Sequence, residues 1–248
     1  MKKNERTLLG FAVLGTLIVL GMAAFGYVFL RDPKAPSAIV TEPSVMPPTQ
    51  EVETQATEES ESSADVLSKT SAFRIAASQS EARFTLNELL GGEPTTVIGK
   101  TQQVSGQFIV DLINPQDAQV GEILINARDL TTDNSFRNRA IHNQILDSNT
   151  YEFISFVPAQ ATLLPETINF GESVALEISG ALTIKGVTQQ VTFTASITPI
   201  SETQIEGHAE AMLRYSDFGI NIPSAPRVAE VDEEVFLEID FVALLAVE

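Results

Sequence analysis

A strictly alternating stretch in the second half of the chain constrains its fold more than any other feature. From position 174 to 184, apolar residues and glycine occupy the even positions, and polar residues occupy most of the odd ones. After Lys185-Gly186 the order inverts, and the apolar residues up to Ile197 take odd positions. A period of two is typical of a β-strand with one buried face, and a two-residue turn inverts the parity. The sequence therefore predicts a tight β-hairpin.

The register of this hairpin follows from the alternation. If Ile184 pairs with Val187, every apolar side chain of the first strand meets the apolar face of the second, because a one-residue slip would turn one face outward. Gly186 can adopt the positive φ that primed hairpin turns need. The expected cross-strand pairs are Leu182 with Gln189, Gly180 with Val191, Ile178 with Phe193, Leu176 with Ala195, and Val174 with Ile197.

The same alternation recurs along the chain and predicts an all-β antiparallel fold of about eight strands. A closed barrel is favoured over a sandwich because closure removes exposed strand edges, and the sandwich is the alternative. The segments concerned contain Phe73 and Ile75; Ala82, Phe84 and Leu86; Val104 to Leu112; residues near Ile123 and Phe156; Ile205 to Leu213; and Val235 to Phe241.

One segment breaks the period of two. Residues 135–146 read SFRNRAIHNQIL, with Phe136, Ala140 and Ile141 at helical spacing and with neither glycine nor proline. Asp133 or Asn134 is a suitable N-cap. We expect one short helix here, lying across an end of the barrel.

The N-terminal residues 1–31 have the character of a membrane anchor. Residues 8–30 contain no charged side chain and are long enough to cross a hydrocarbon core of about 30 Å. Lys2, Lys3 and Arg6 precede this run, which predicts a cytoplasmic N-terminus and an exported remainder. A cleaved signal peptide ending near Ala24 is the alternative, although its apolar core spans only about 7–15 residues.

Residues 32–70 contain five prolines and a Glu, Ser and Thr run, but few apolar side chains. Such a composition does not offset the entropy of ordering the backbone, so it predicts a disordered spacer. Residues 71–248 carry the alternating segments and form the predicted barrel domain.

Charge and cysteine content exclude several functions. The chain has a formal net charge of −18 and no cysteine. An acidic surface repels nucleic acid, and a chain without cysteine has neither disulfides nor a thiolate nucleophile. Nucleic acid is therefore excluded as a partner, and the membrane, through the N-terminal helix, is expected as one.

Four segments resemble the YceI-like family of exported lipid-binding proteins. They are VSGQFIVDL from Val104, RNRAIHNQIL from Arg137 followed by YEFISF, LTIKGVTQQVTF from Leu182, and RYSDFGI from Arg214. The family commonly has an Arg-Asp pair where this chain has Arg137-Asn138. The resemblance implies a lipocalin-like barrel whose interior holds a long amphiphile, typically a polyisoprenoid such as a quinone tail, and it implies no other cofactor.

Small residues on the apolar parity are compatible with such an interior. In one interpretation they leave an apolar cavity unfilled, and in the other they mark places where the barrel flattens or the helix packs closely. They are Gly106, Gly180, Ala195, Gly207, Ala209 and Ala211. The parity and the matched motifs together select the expected ligand contacts, which are Phe84, Phe108, Val110, Ile178, Gly180, Val191, Phe193, Ala195 and Phe218.

Polar candidates for a site are few. Arg137 and Arg139 are possible contacts for a lipid head group, and the alternative is that they pair with Asp147 or Glu152. His142 and His208 are the two histidines, and neither has the spaced partners of a metal site. The acidic residues at 230–234 have the pattern of a solvated loop, and no GxSxG elbow is present. We therefore expect no catalytic residue and no metal.

The resulting expectation is an extracytoplasmic protein that binds, stores or carries an isoprenoid or other long-chain lipid. Two alternatives come from other classes. One is an interaction module with a packed barrel, and the other is a hydrolase that acts on envelope lipids through its carboxylates.

Overall fold

The computed structural model describes residues 31–37, 70–112, 115–161, 167–225 and 228–246. Its single α-helix within these ranges is α1, Ser135–Ala140, which continues as a π-helical turn, Ile141–Ile145. Three short 3-10 turns cover Ala77–Gln79, Pro115–Asp117 and Tyr215–Phe218. The strands are β1 Thr70–Ile75, β2 Glu81–Leu90, β3 Glu93–Thr101, β4 Val104–Ser105, β5 Gln107–Asp111, β6 Gln119–Val120, β7 Ile123–Asn126, β8 Phe153–Ala161, β9 Val174–Ile184, β10 Val187–Ser201, β11 Gln204–Arg214, β12 Val228–Val231 and β13 Glu234–Leu245.

These strands form one antiparallel sheet that curls into a barrel. Hydrogen-bonded neighbours follow the order β7, β8, β9, β10, β11, β13, β1, β5. Gly106 alone separates β5 from β4, and β4 pairs with β7, so the pairing returns to its starting strand. Several segments join end to end as bent strands. The expected antiparallel barrel of about eight strands is thus confirmed at the level of a curled all-β sheet.

The central hairpin has the predicted register. Ile184 pairs with Val187, Gly180 with Val191 and Ile178 with Phe193 along β9 and β10. Both turn residues have positive φ, 52° at Lys185 and 77° at Gly186, as a type I′ turn requires. Coincidence of the two apolar faces was therefore sufficient to define the pairing.

The helix is shorter than predicted. Six residues are α-helical, and the five that follow have π-helical hydrogen bonding. The Asn134 side chain accepts hydrogen bonds from the backbone N–H groups of Phe136 and Arg137, so the predicted N-cap is confirmed.

Two strands were missed by pattern alone. β3 pairs along the whole length of β2, and β12 pairs with the end of β2. The interpretation of residues 230–234 as a solvated acidic loop is correct only in part. All four carboxylates are exposed and Asp232 and Glu233 form the turn, but Glu230 lies in β12 and Glu234 begins β13. β3 begins with the polar run EPTT and β12 has only four residues, VAEV, so neither shows the sustained alternation by which strands are recognised.

The two ends of the barrel differ. The helix end carries α1, the β9–β10 turn and the 3-10 turn at Tyr215–Phe218, whereas the loop end carries the β10–β11 turn and the β5–β6 and β8–β9 connections. At the helix end, Phe218 and Ile220 pack with Phe156, Leu182 and Ile184 as a buried cluster. This cluster closes the helix end with apolar side chains.

The predicted anchor, or signal peptide, lies outside the described residues, as do residues 38–69 of the predicted spacer. Among the residues that the structure describes, no helix is both long and apolar enough to cross a membrane. Residues 32–37 of the predicted spacer are described, and they lie on the helix end of the barrel.

We predict that Gly186→Val destabilises the protein more than Gly186→Asn. Both variants place a Cβ near the Tyr151 ring, but only valine pays the full cost of a left-handed conformation, about 1–2 kcal/mol. Urea unfolding of the two variants measures the difference. Equal losses would mean that the turn conformation does not limit stability.

Candidate functional site

An apolar cavity of about 290 Å³ lies inside the barrel. Its wall contains residues of most strands, and all but four of them are apolar, the exceptions being Arg83, Gln116, Gln119 and Glu238. The volume is near the lower end of small-molecule pockets, which span about 300–1,000 Å³. A space with so few polar partners holds water poorly and favours an apolar occupant.

Six of the nine expected contacts line this cavity. They come from four strands, which the antiparallel pairing brings round a common interior, and each has the inward parity of its strand. The six are Phe84, Phe108, Val110, Ile178, Phe193 and Ala195. Phe193 also packs edge to face on Phe156, with ring centroids 4.9 Å apart, so two aromatic rings at the wall hold each other in place.

Val191, Phe218 and Gly180 are not part of the wall. Phe218 is only 1% exposed and belongs to the buried cluster at the helix end, and half-buried Val191 packs against the same cluster. These two residues close the barrel between the cavity and the helix end. They therefore support the cavity without lining it.

Gly180 serves a close approach of two strands. A Cβ at this position would meet the Val157 carbonyl oxygen and would lie 2.8 Å from the Pro158 Cα. The idea that Gly180 leaves space for a ligand is wrong, because neighbouring backbone occupies that space. The β8–β9 pairing is irregular here, between Pro158 and Gln160.

The other small residues have different surroundings. At Gly207 the Phe241 ring covers the position where a side chain would lie, and at Gly106 the Ile123 side chain does so. Ala195 and Ala209 line the cavity, whereas Ala211 is buried but is not part of the wall. Two of the three alanines therefore bound the unfilled volume, and these glycines admit the side chain of a neighbouring strand.

Part of the wall was not predicted. Pro115, Gln116 and Ala118 in the β5–β6 connection and Ile168 in the β8–β9 connection reach the cavity at the loop end. These connections have no alternating pattern, and their inward residues are defined only by the path of the loop. Leu130, which follows β7, is a further wall residue of this kind.

The proposed head-group residues are held by carboxylates. The Arg137 guanidinium lies 2.6 Å from Glu88 Oε1 and 2.6 Å from Asp133 Oδ1, and Arg139 lies 3.7 Å from Asp32 Oδ1. The partners differ from the Asp147 and Glu152 considered from sequence. Neither arginine is among the cavity residues.

Arg83 and Glu238 at the cavity wall belong to a network of charged side chains that joins neighbouring strands. Arg83 lies 3.0 Å from Glu238 and 2.6 Å from Asp240, and hydrogen bonding to Glu238 is the largest cause that raises the Arg83 pKa. His208 Nδ1 lies 2.7 Å from Asp240 Oδ1, which raises the His208 pKa. Arg83 and Glu238 pair with each other, and they are the only charged residues among those that line the cavity.

The second histidine, His142, is buried at the helix end. Its Nδ1 lies 3.2 Å from Ser148 Oγ, and burial lowers its pKa, which favours the neutral ring at pH 7. Within the described ranges no group of His, Cys, Asp or Glu side chains is arranged to hold a metal ion. His142 is thus a hydrogen-bonded core residue.

Comparison with known families agrees with this architecture. The family model of the YceI-like domain matches residues 73–243, which include every strand of the barrel from within β1 to within β13. The chain belongs to the YceI-like domain family. The four motifs noted in the sequence fall on β4–β5, on α1 to β8, on the β9–β10 hairpin and on the 3-10 turn after β11.

Two solved structures have the same fold as this YceI-like protein. One is described as a polyisoprenoid binding domain from Saccharophagus degradans implicated in plant cell wall breakdown; it is 14% identical, with a TM-score of 0.54, and the alignment covers 72% of this chain and all of the other. The second is BcnA of Burkholderia cenocepacia, 17% identical, with a TM-score of 0.52 and coverage of 68% and 98%. No curated protein matches the chain.

We predict that Ala195→Phe is tolerated far better than Gly180→Leu. The larger side chain at Ala195 enters the cavity, whereas the side chain at Gly180 meets backbone, and overpacking of this kind costs typically 1–3 kcal/mol. Chemical denaturation of both variants provides the comparison. A loss at Ala195 as large as that at Gly180 would show that the space beside Ala195 is not free.

Proposed function

We propose that this protein binds one long-chain apolar lipid of the polyisoprenoid class in its barrel cavity, for storage or transport. The observation that carries this proposal is the cavity itself, about 290 Å³ of interior with an almost wholly apolar wall. The similarity to a domain described as polyisoprenoid binding supports the choice of lipid class.

Burial of apolar surface supplies the binding energy. Each Å² of ligand removed from water contributes about 25 cal/mol, so a chain that buries about 300 Å² gains ~7 kcal/mol before the costs of association. The aromatic rings of Phe84, Phe108 and Phe193 add flat contact area to the aliphatic wall. A linear lipid tail with methyl branches matches a wall of this composition.

Neither alternative has comparable support. A packed interaction module does not account for the unfilled interior beside Ala195 and Ala209. For a hydrolase, the wall offers one carboxylate, Glu238, whose oxygens accept hydrogen bonds from Arg83 at 3.0 and 3.1 Å. Both oxygens of this carboxylate are thus engaged by the Arg83 guanidinium rather than by a substrate.

We also propose that residues 8–30 anchor the protein in the cytoplasmic membrane, with the barrel on the outer side. The uncharged run and the basic residues before it support this orientation. A lipid carrier in this position would lie next to the outer face of the membrane.

The cavity predicts lipid in the purified protein. We expect mass spectrometry of a solvent extract to find an isoprenoid at up to one molecule per chain, and Ala195→Phe to lower that amount at least tenfold by filling the cavity. Ala175→Phe is the matched control, because Ala175 is exposed on the same strand as the cavity residue Ile178. Extracts that contain no lipid, from protein that also fails to bind added isoprenoid, would refute the proposal.

The anchor predicts accessibility from outside the cell. We expect protease added to intact spheroplasts to release the barrel by cutting within the predicted spacer, residues 32–70. Sequencing of the N-terminus is the decisive measurement. A mature chain that begins near Ala24 or Phe25 would establish a cleaved signal peptide instead.

A further inference from the structure

Residues 31–37, which we call the strap, are bonded to the helix end of the barrel. The Lys34 N–H donates to Asn149 Oδ1 at 2.9 Å, and the Ser37 N–H donates to Glu152 Oε1 at 2.7 Å. Asn143 Nδ2 donates to the Arg31 carbonyl oxygen at 3.0 Å. These three partners lie in the connection between β7 and β8, so a single surface receives the whole strap.

The strap contacts this surface with a period of three residues. The bonded backbone groups belong to positions 31, 34 and 37, and a polyproline II helix presents the same side every three residues. Pro33 and Pro36 restrict their own φ and keep the preceding residues extended. The proline spacing therefore stiffens the strap and lowers the entropy lost on docking.

Buried, hydrogen-bonded side chains hold the receiving surface in place. Asn126 is completely buried, and its Nδ2 donates both to the Ser37 carbonyl oxygen, at 3.2 Å, and to Glu152 Oε1, at 3.1 Å. Arg128 lies 2.6 Å from Glu152. Burial opposes ionisation of Glu152, but the hydrogen bonds from Ser37 and Asn126 and the Arg128 charge outweigh it and lower its pKa. Glu152 is thus an oriented carboxylate acceptor at neutral pH.

The helix end exposes aromatic and basic side chains, together with the carboxylates of Asp32 and Asp133. Three aromatic side chains are exposed there, Phe136 by 68%, Tyr151 by 40% and Phe153 by 37%. The strap contributes Arg31 and Lys34 at the same end. Aromatic and basic side chains are the residues that membrane interfaces favour.

We propose that the strap clamps the helix end of the barrel against the outer face of the membrane, so that the loop end points away from it. This proposal rests on the proposed anchor, because Arg31 follows the apolar run of residues 8–30 directly. The cavity wall extends to the loop end through Ala118 and Ile168. The clamp therefore places this part of the cavity on the side remote from the bilayer.

Energy transfer to a membrane-bound acceptor tests the orientation. Glu93 lies at the β2–β3 turn on the helix end, close to Glu88, which pairs with Arg137 of α1, and Glu202 lies in the β10–β11 turn at the loop end. The chain has no cysteine, so Glu93→Cys and Glu202→Cys each provide one labelling site of the same chemistry. Strand length and tilt separate the two ends by about 35 Å. In phosphatidylcholine vesicles that contain a rhodamine-labelled lipid, we expect transfer from position 93 to be at least twofold more efficient than from position 202.

Removal of the strap's backbone donors should abolish this difference. Lys34→Pro with Ser37→Pro deletes both N–H groups and keeps the segment extended, so both labels should then report similar efficiencies. Lys34→Ala with Ser37→Ala is the control, since it removes the side chains and keeps the donors. Equal transfer from both positions in the parent protein, or stronger transfer from position 202, would overturn the proposal.

Two further outcomes identify which premise fails. Ser37 amide exchange as fast as in an unstructured peptide would show that the strap does not dock, and a full chain that stays out of vesicles would show that the anchor is absent. Either result overturns the clamp. Neither affects the lipid content of the cavity, which solvent extraction measures separately.

Discussion

Backbone hydrogen bonding around the whole circumference is the constraint on which the rest of this structure depends. The bent strand formed by β3, β4 and β5 has two neighbours, with β1 and β2 on one side and β6 and β7 on the other. This strand joins the beginning of the sheet to its middle through β4 and β5, whereas residues 93–99 of β3 pair only with β2 among the described residues. Every inward residue is thereby placed opposite a wall on the other side of the barrel.

The interior of the barrel is closely packed in some places and unfilled in others. Where strands or rings must approach closely, glycine removes the side chain, as at Gly180 against β8 and at Gly207 beneath the Phe241 ring. Phe241 in turn stacks on Phe108, with centroids 5.2 Å apart, which fixes one wall of the cavity. Rigid walls of this kind keep the space beside Ala195 and Ala209 from collapsing, as close-packed interiors resist rearrangement.

Polar interactions join separate parts of the chain. Arg83 joins β2 to β13, Arg137 joins α1 to β2, and Glu152 joins the strap to the connection before β8. Of these three, only Arg83 reaches the cavity wall, where it pairs with Glu238. The rest of the wall is apolar apart from Gln116 and Gln119, in a protein of strongly acidic composition.

Local patterns were enough to predict the elements in which neighbours in sequence are neighbours in space. The β9–β10 register, the positive φ at Gly186 and the Asn134 cap depend on contacts within a few residues or on the parity of one hairpin. Parity also placed six of the nine expected contacts on the wall, since inward direction follows from the strand alone.

Tertiary structure alone decided how much space each inward residue leaves. Gly180 and Ala195 both have the inward parity of their strands. Neighbouring backbone fills the position beside Gly180, whereas the cavity lies beside Ala195. Pairing of Arg137 with Glu88, the strand β3 and the docking of residues 31–37 likewise join positions far apart in the chain. The physical reason is the same in each case: parity and propensity report the direction of a side chain, whereas volume and partner choice depend on what the closed sheet brings opposite it.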